Sequence, residues 1–267
     1  MKADGKEKIR ILADFNKTFT YANFKGKRNP SLISQLRNGN YLTKDYAEKA
    51  NLLYDKYHPI EISTTISQKE KEEKMKEWWS THYKLLADSG LDEATIKKAV
   101  KDMIKEGRIR LRLGSKEFIH ELDKNSIPLV IISAAGTGNM IQEFLKEQNS
   151  LLSNVHILGN ILEFSRGGKF TGIKNNKVIH VLNKREVELK ELPIYSQLEK
   201  RKSIILLGDS IDDLQIAENS KYDNLISIIF LENSELLELA KQKFDVIITN
   251  DGDFGHVNEL LREIIQF

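Results

Sequence analysis

The chain has 267 residues, of which 41 are Lys or Arg and 39 are Asp or Glu, giving a formal net charge of +2 at pH 7. This length allows one large domain or two smaller ones, and the near-balance of charge gives no reason to expect a nucleic-acid partner. The absence of cysteine excludes a disulfide framework, a thiolate metal site and a cysteine nucleophile. The polar start has no secretory signal, and no apolar run reaches the roughly 18 residues that a membrane span needs. We therefore expect a soluble, cytoplasmic protein.

Five short apolar runs predict β-strands. Because the runs are near-continuously apolar rather than alternating, they are typical of parallel strands covered on both faces. They are residues 9–15, 128–134, 203–208, 225–231 and 245–249. Helical patterns over residues 139–148 and 212–218 follow two of these runs, and Ser115 is expected to cap a further helix. The alternation predicts an α/β fold with a doubly wound parallel sheet.

Residues 25–112 interrupt this alternation, because they contain no strong strand pattern and are rich in charge. Residues 69–86 have apolar side chains at helical spacing, and a second helix is expected to begin near Asp92. We therefore predict a core formed by residues 1–24 and 113–267, with residues 25–112 inserted as a helical cap.

Polar residues follow three of the predicted strands, at the edge where open α/β sheets bind ligands. Asp14 lies at the end of the first predicted strand and Asp209 directly after the third, while a Gly-rich loop, residues 133–139, begins at the end of the second. Each feature alone is more often a turn or a helix cap. Carboxylates gathered at one edge repel each other unless a cation lies between them, and Mg²⁺ prefers such oxygen ligands.

The motifs together resemble the haloacid dehalogenase superfamily of phosphohydrolases, and more closely its cytosolic 5′-nucleotidase III family, the pyrimidine 5′-nucleotidase type. The resemblance rests on FKGKRNP (24–30), KEWW (76–79), SAAGTGN (133–139), IHVLNK (179–184) and ILLGDSIDDLQIA (205–217). It implies a Rossmann-like core with a helical cap, a monomer, and Mg²⁺-dependent dephosphorylation of a nucleoside 5′-monophosphate.

The resemblance also implies roles for individual residues. Asp14 matches the nucleophile, which forms an aspartyl-phosphate. Asp209 matches a Mg²⁺ ligand, and Asp14 and the backbone carbonyl of Asn16 complete the protein's part of the metal site. Asp213 matches a second acid that supports this site, and Lys184 matches the lysine that neutralises charge on Asp14 and the phosphate. The loop residues whose amides are expected to bind phosphate are Ala135, Gly136, Thr137 and Gly138.

The resemblance implies that the insert is a cap that closes over the phosphate site and recognises the base. Trp78 and Trp79 share one predicted helix with Glu70, and an aromatic face near a carboxylate can stack a nucleobase and accept from its amine. Adjacent helical residues diverge by about 100°, so at most one tryptophan is expected to face the ligand. The alternative is that both are buried against the second cap helix.

The sequence departs from the family pattern at two positions. The general acid/base of the family is an Asp two residues after the nucleophile, and here that position is Asn16. An amide cannot take part in proton transfer, so we expect slow chemistry. When the Gly-rich loop is aligned on its glycines, the phosphate-binding Ser falls on Ala134, and Ser133 lies one place early.

These departures leave three explanations open. In the first, the chain is a pseudo-phosphatase that binds a nucleotide or another phosphorylated ligand. In the second, Asn16 was introduced to trap substrate, which would not explain Ala134. In the third, another acid such as Asp212 acts in place of the missing one. A scaffold without a working site is disfavoured, because a fold alone does not require four such charges, Asp14, Asp209, Asp213 and Lys184, at one edge.

Overall fold

The computed structural model describes residues 1–24, 26–134, 137–174, 178–180, 182–183, 189–218 and 220–266. The strands are β1 Ile9–Ala13, β2 Asn23–Phe24, β3 Lys27–Arg28, β4 Leu129–Ser133, β5 Val155–Gly159, β6 Leu162–Phe164, β7 Phe170–Ile173, β8 Ser203–Gly208, β9 Asn224–Phe230 and β10 Val246–Ile248. The helices are α1 Leu32–Asn38, α2 Tyr46–Ile62, α3 Gln68–Asp88, α4 Glu93–Lys105, α5 Ser115–Lys124, α6 Gly138–Glu147, α7 Tyr195–Leu198, α8 Gln215–Glu218, α9 Leu237–Lys243 and α10 Gly255–Ile265. Within these residues, no helix is both long and apolar enough to span a bilayer.

A parallel sheet with strand order β10-β9-β8-β1-β4-β5 forms the centre of the molecule. All five predicted strands are present, and the predicted doubly wound α/β fold is confirmed. The sequence did not predict β5, which is the edge strand beside β4. The glycine-containing segment after β5 forms the β6–β7 antiparallel hairpin.

The apolar strand runs are explained by burial on both faces of the sheet. All five residues of β1 are buried, and its four apolar side chains divide between two apolar clusters, with Ile11 on one face and Leu12 on the other. One face is covered partly by α5, α6 and α10, and the other partly by α7 and α8. Burying each such side chain contributes about 1.5–3 kcal/mol, so both faces stabilise the strands that hold the site.

Residues 25–112 contain the helices α1–α4 and the strand β3, as their helical patterning predicted in part. The helix α4 begins after Asp92, whose side chain accepts a hydrogen bond from the Thr95 amide at 2.6 Å. The sequence did not predict α1 or α2. The two segments that join this insert to the sheet lie side by side, because Thr20 and Leu111 form an antiparallel bridge.

The prediction that Ser115 caps a helix is wrong by one residue. The cap position of α5 is Gly114, whose φ of 80° lies in the left-handed region that glycine tolerates. Ser115 is the first residue of α5, and its hydroxyl donates to the Arg112 carbonyl at 2.8 Å.

Candidate active site

The candidate active site lies at the carboxyl ends of β1 and β8, where the winding of the sheet reverses. From β1 the chain proceeds outward through β4 and β5, then crosses to β8 and continues through β9 and β10 in the opposite direction. Open α/β sheets bind their ligands at such a switch point. Asp14 follows β1 and Asp209 follows β8, so the fold brings these two predicted carboxylates to one edge of the sheet.

Asp14 is buried, with 4% of its surface exposed. Its amide donates to the Leu207 carbonyl at 3.0 Å, and Ala13 is the register partner of Leu207. The chain therefore passes from β1 into Asp14 beside the last residue of β8. Adjacent strands lie about 4.8 Å apart, so one ligand can reach the groups that follow both strands.

Asp209 is oriented by a turn that depends on Asp213. The buried Asp213 carboxylate accepts hydrogen bonds from the amides of Asp209 and Ser210, both at 3.0 Å, and from the Ser210 hydroxyl at 3.2 Å. A Cβ atom on Gly208 would lie 2.6 Å from the Asp213 Cβ, so a side chain cannot fit there. These contacts explain the Gly-Asp pair of this motif: Gly208 avoids a clash with Asp213, and the amide of Asp209 donates to the Asp213 carboxylate.

The residues of this edge fit a magnesium ion. Among the residues that the structure describes, no group of three or more His, Cys, Asp or Glu could hold a metal ion. The donor set expected from the sequence, the carboxylates of Asp14 and Asp209 and the backbone carbonyl of Asn16, stays a prediction, and its chemistry suits Mg²⁺, which is often bound by one or two carboxylates together with waters. Because Asp213 Oδ2 already accepts three donors, its contacts favour a supporting role over direct ligation. Its place among the metal ligands stays a prediction.

The Gly-rich loop begins at the end of β4, the other neighbour of β1. Ser133 is the last residue of this strand and is buried, and the β4–β5 register runs regularly from Leu129 to Ser133. Ala134 is also buried, with 8% of its surface exposed. The loop therefore starts beside Asp14, where phosphate binding was predicted.

The four predicted phosphate-binding residues differ in what the structure describes of them. Ala135 and Gly136 lie outside the described residues. Thr137 is buried, and its hydroxyl has no hydrogen-bond partner among the described atoms. The Gly138 amide already donates to the Asn160 carbonyl at 2.8 Å, so a phosphate that binds this amide must replace that bond.

Lys184 also lies outside the described residues, but most of the segment before it is described. The Asn160 side chain exchanges two hydrogen bonds with the backbone of Ile179, at 2.7 and 2.8 Å. Asn183 in turn accepts from the His180 amide at 2.7 Å. The segment is thus tied to Asn160, which also accepts from the start of α6.

The predicted base-binding residues are spread along α3. Trp78 and Trp79 are buried, with 6% and 8% of their surfaces exposed, and their rings stack at 5.7 Å. Trp78 also stacks on Tyr57 of α2 at 5.8 Å, so it packs against the preceding helix and not against the second predicted one. Leu182 packs against the same apolar cluster, so α3 contacts the segment that leads to Lys184.

Glu70 is exposed in the first turn of α3, eight residues before Trp78. At about 1.5 Å per residue, the two positions are about 12 Å apart along the helix axis. The structure does not bring Glu70 and the tryptophans together, and all three stay predictions as substrate contacts.

The sequence did not single out two polar groups near this edge. Glu232 follows β9 and pairs with Lys17 at 2.8 Å and with Arg28 at 3.1 Å. Burial raises the pKa of Glu232, but these two cations outweigh it and the pKa lies below its ordinary value. The second group is the buried pair of Arg112 and Asp251, at 2.8 Å. Nothing in the sequence separates these residues from the other charges of the chain, because their partners are distant in sequence.

Comparison with known proteins gives consistent matches along nearly the whole chain. A family model described as "Pyrimidine 5′-nucleotidase (UMPH-1)" matches residues 17–265. The 7-methylguanosine phosphate-specific 5′-nucleotidase of Mus musculus is 32% identical over 268 residues, which cover 99% of this chain and 87% of that protein. The form A enzyme of Xenopus laevis is 31% identical, with coverage of 97% and 88%.

Solved structures give the same picture. The crystal structure of cytosolic 5′-nucleotidase IIIB bound to cytidine has a TM-score of 0.86 and 27% identity, and the match covers 99% of this chain and 88% of that one. A phospho-aspartyl intermediate analogue of phosphoserine phosphatase has a TM-score of 0.51 and 18% identity, with coverage of 96% and 98%, and supports the fold alone.

Proposed function

Because the chain belongs to the pyrimidine 5′-nucleotidase family, we propose that it hydrolyses a nucleoside 5′-monophosphate to the nucleoside and inorganic phosphate. This membership confirms the predicted resemblance and the predicted enzyme class, a 5′-nucleotidase-like phosphatase. The observation that carries the proposal is the meeting of Asp14 and Asp209 at the switch point of the sheet, in a chain whose family match spans residues 17–265.

The proposed reaction has two steps on Asp14. Its carboxylate attacks phosphorus, the bond to the nucleoside 5′-oxygen breaks, and an aspartyl-phosphate forms. Water then attacks the phosphorus of this intermediate and releases phosphate, which regenerates the carboxylate. Burial of Asp14 supports this role, since the nucleophile lies in a site from which bulk water is largely excluded.

A Mg²⁺ ion bound by Asp14, Asp209 and the carbonyl of Asn16 would supply charge neutralisation of the phosphate oxygens. The protein's own part is to hold these groups in place. The hydrogen bonds of Asp213 set the backbone at Asp209, and the β1–β8 pairing sets the backbone at Asp14. Lys184 and the amides of residues 135–138 belong to the proposal as further phosphate contacts.

Asn16 is expected to make the proposed reaction slow. The leaving nucleoside oxygen needs a proton in the first step, and the attacking water loses one in the second. A carboxyl group can exchange these protons and an amide cannot. Such assistance is typically worth about 10²–10⁴-fold. The second candidate function, a pseudo-phosphatase that binds a nucleotide without turning it over, rests on this same residue.

The insert is proposed to act as a cap that closes over the phosphate site and contacts the base. Two observations support this division of the chain. The connecting segments are paired at Thr20 and Leu111, as two strands of a hinge would be, and Leu182, two residues before Lys184, packs against the cluster that contains Trp78. We also propose that the protein is a cytoplasmic monomer and that it has no nucleic-acid partner.

The relatives guide the choice of substrates. Proteins similar to this chain are named for 7-methylguanosine phosphate, the family is named for pyrimidines, and one solved relative is bound to cytidine. We therefore propose phosphate release from 7-methylguanosine 5′-monophosphate, CMP and UMP as the test. Each is assayed with excess Mg²⁺ and with EDTA.

Three forms of the protein separate the two candidates. The wild type is expected to release phosphate slowly, Asn16→Asp to be at least about a hundredfold faster, and Asp14→Asn to be inactive. If no form releases phosphate from any of the substrates, the enzyme function is excluded. Nucleotide-dependent stabilisation of the wild type against heat would then support the binding function.

A further inference from the structure

Arg112 is a buried arginine, with 2% of its surface exposed, in the segment that returns from the insert to the sheet. Its Nη1 atom lies 2.8 Å from Asp251 Oδ1 and donates to the Gly252 carbonyl at 2.5 Å. Its Nη2 atom donates to the Lys17 carbonyl at 2.6 Å, and Nε is 3.1 Å from the Thr18 carbonyl. One guanidinium thus joins the loop after Asp14 to the loop after β10.

These contacts explain how the charge of Arg112 is tolerated. Burial lowers the pKa of the guanidinium, and the charge of Asp251 opposes this shift. The planar guanidinium matches several acceptors at fixed angles, which a lysine ammonium cannot do. The face of the guanidinium also packs over the Phe230 ring, 4.7 Å from its centroid. The position therefore demands arginine in particular and not simply a positive charge.

Asp251 connects the same arginine to the other hinge segment. Its two carboxylate oxygens accept hydrogen bonds from the amides of Ala22 and Asn23, both at 2.9 Å. These residues leave the sheet toward the insert, whereas Arg112 returns from it. Both connecting segments are therefore fastened to the core through a single ion pair.

The backbone that Arg112 holds is unfavourable for the residue it contains. Lys17 has a φ of 61°, in the left-handed region that costs roughly 1–2 kcal/mol for a side chain with a Cβ atom. The amide of Lys17 donates to the Thr20 hydroxyl at 2.9 Å, and its carbonyl accepts from Arg112. Hydrogen bonds on both sides of the residue thus maintain the turn that directly follows Asn16.

We propose that Arg112, held by Asp251, is a positioning residue for the reaction at Asp14. It sets the backbone after Asn16, and so the position of the Asn16 carbonyl relative to Asp14. It also links that backbone to both segments of the hinge. The inference rests on the proposed function. A small displacement of a reacting group can cost about a hundredfold in rate. Replacement of Arg112 is therefore expected to lower kcat and to leave KM nearly unchanged.

The test compares Arg112→Lys with Arg262→Lys in the full chain. Arg262 pairs with Glu117 at 2.6 Å, with 46% of its side chain exposed, so it is a matched arginine away from the site. Arg112→Lys is expected to lower kcat at least about tenfold and to leave KM within about twofold, at a temperature where melting curves show the protein folded. Arg262→Lys is expected to change neither constant. An unchanged kcat in folded Arg112→Lys, or a loss no larger than the unfolded fraction, overturns the inference.

A second variant and a second readout cover the remaining cases. If Arg112→Lys does not fold, Asp251→Asn is expected to give the same fall in kcat at constant KM, and an unchanged kcat there overturns the inference. If the wild type alone releases no phosphate, the kcat comparison is made in Asn16→Asp. If Asn16→Asp is inactive as well, the proposed function fails together with the part of the inference that concerns the reaction, and the part that concerns the backbone and the hinge is left to test. Hydrogen exchange at the Ala22 and Asn23 amides then decides, because Arg112→Lys is expected to accelerate it at least about tenfold and Arg262→Lys is not. Unchanged exchange overturns the inference.

Discussion

The carboxylate of Asp213 accepts a hydrogen bond from the backbone amide of Asp209 at 3.0 Å. Asp213, the last acid of the GDSIDD motif, therefore stabilises the turn that contains Asp209, the first acid of the motif. Its effect on a bound metal is expected to pass through the orientation of Asp209, as with other groups that hold a ligand in place.

Asp213→Asn tests this relationship, because an amide oxygen accepts these donors more weakly than a carboxylate. We expect the apparent Mg²⁺ affinity, measured from the Mg²⁺ dependence of phosphate release, to fall about 10–100-fold. Asp212→Asn is the adjacent comparison, since Asp212 is exposed, and its Mg²⁺ affinity should not change. Equal affinities in both variants would contradict the role of Asp213. A fall in kcat for Asp212→Asn would identify Asp212 as the acid that replaces the missing one.

Gly208→Ala is expected to disrupt the same turn by a steric route. The added methyl group would lie 2.6 Å from the Asp213 Cβ atom, and the chain must shift to relieve the contact. Forced overpacking of this kind typically costs about 1–3 kcal/mol. Urea unfolding should show that loss, together with reduced phosphate release. Gly172→Ala, where no atom lies within 4 Å of the added carbon, is the control. Equal stability of the two variants would be evidence against the steric argument.

The tryptophans of α3 are expected to contribute to stability whether or not they contact substrate. Trp78 and Trp79 are both nearly buried and stacked, so replacing either with Ala should cost about 3–5 kcal/mol. Leu52→Ala on α2, where the side chain is 62% exposed, should cost far less and provides the control. The measurement is the free energy of unfolding in denaturant.

Trp78→Phe and Trp79→Phe separate packing from recognition in a folded protein. A tryptophan that stacks on the base should raise KM when it is replaced. Two variants that lose stability without a change in KM would exclude both residues from base recognition.

The buried histidines predict a loss of stability in mild acid. Burial lowers the pKa of His82 and of His180 to about 4, from about 6.5 in the unfolded chain. Between these values the unfolded state binds more protons, so stability is complete above pH 6.5 and falls as the pH drops toward 4. For one group the loss is roughly 3 kcal/mol.

His82→Phe checks the source of this dependence. The neutral ring accepts or donates a hydrogen bond with the Tyr46 hydroxyl at 2.9 Å, so the variant should be less stable at pH 7. Its unfolding free energy should nevertheless fall less between pH 6.5 and 4 than that of the wild type. The exposed His256→Phe should keep the wild-type pH dependence, and an equal slope in all three proteins would contradict the assignment.

Several features could be predicted from local sequence alone, because their causes are local. Near-continuous apolar runs predicted β1, β4, β8, β9 and β10 within two residues at each end, since a strand buried on both faces favours apolar side chains at most positions. Elements with less regular apolar patterns were missed. The edge strand β5 and the helix α2, which contains Pro59, have weaker patterns and depend on packing.

The chemistry of the candidate site was also readable from the chain, because the motif order carries the family resemblance and Asn16 stands visibly in the acid position. The residues that hold this site in place could not be predicted from the sequence. Arg112, Asp251 and Glu232 are ordinary surface-type residues in the sequence, and each acquires its partners only when distant loops meet at the sheet edge.

The sequence by itself thus determined the type of fold and the family, since these depend on residue type and spacing, and it predicted the reacting groups. Only the tertiary structure decided how those groups are held. It placed Asp14 and Asp209 directly after two neighbouring strands, made Asp213 the acceptor in the turn that follows Gly208, and buried the Arg112 guanidinium between the hinge segments and the loop after Asp14. The physical reason is that hydrogen bonds and ion pairs act over a few ångströms in space, whatever the distance along the chain.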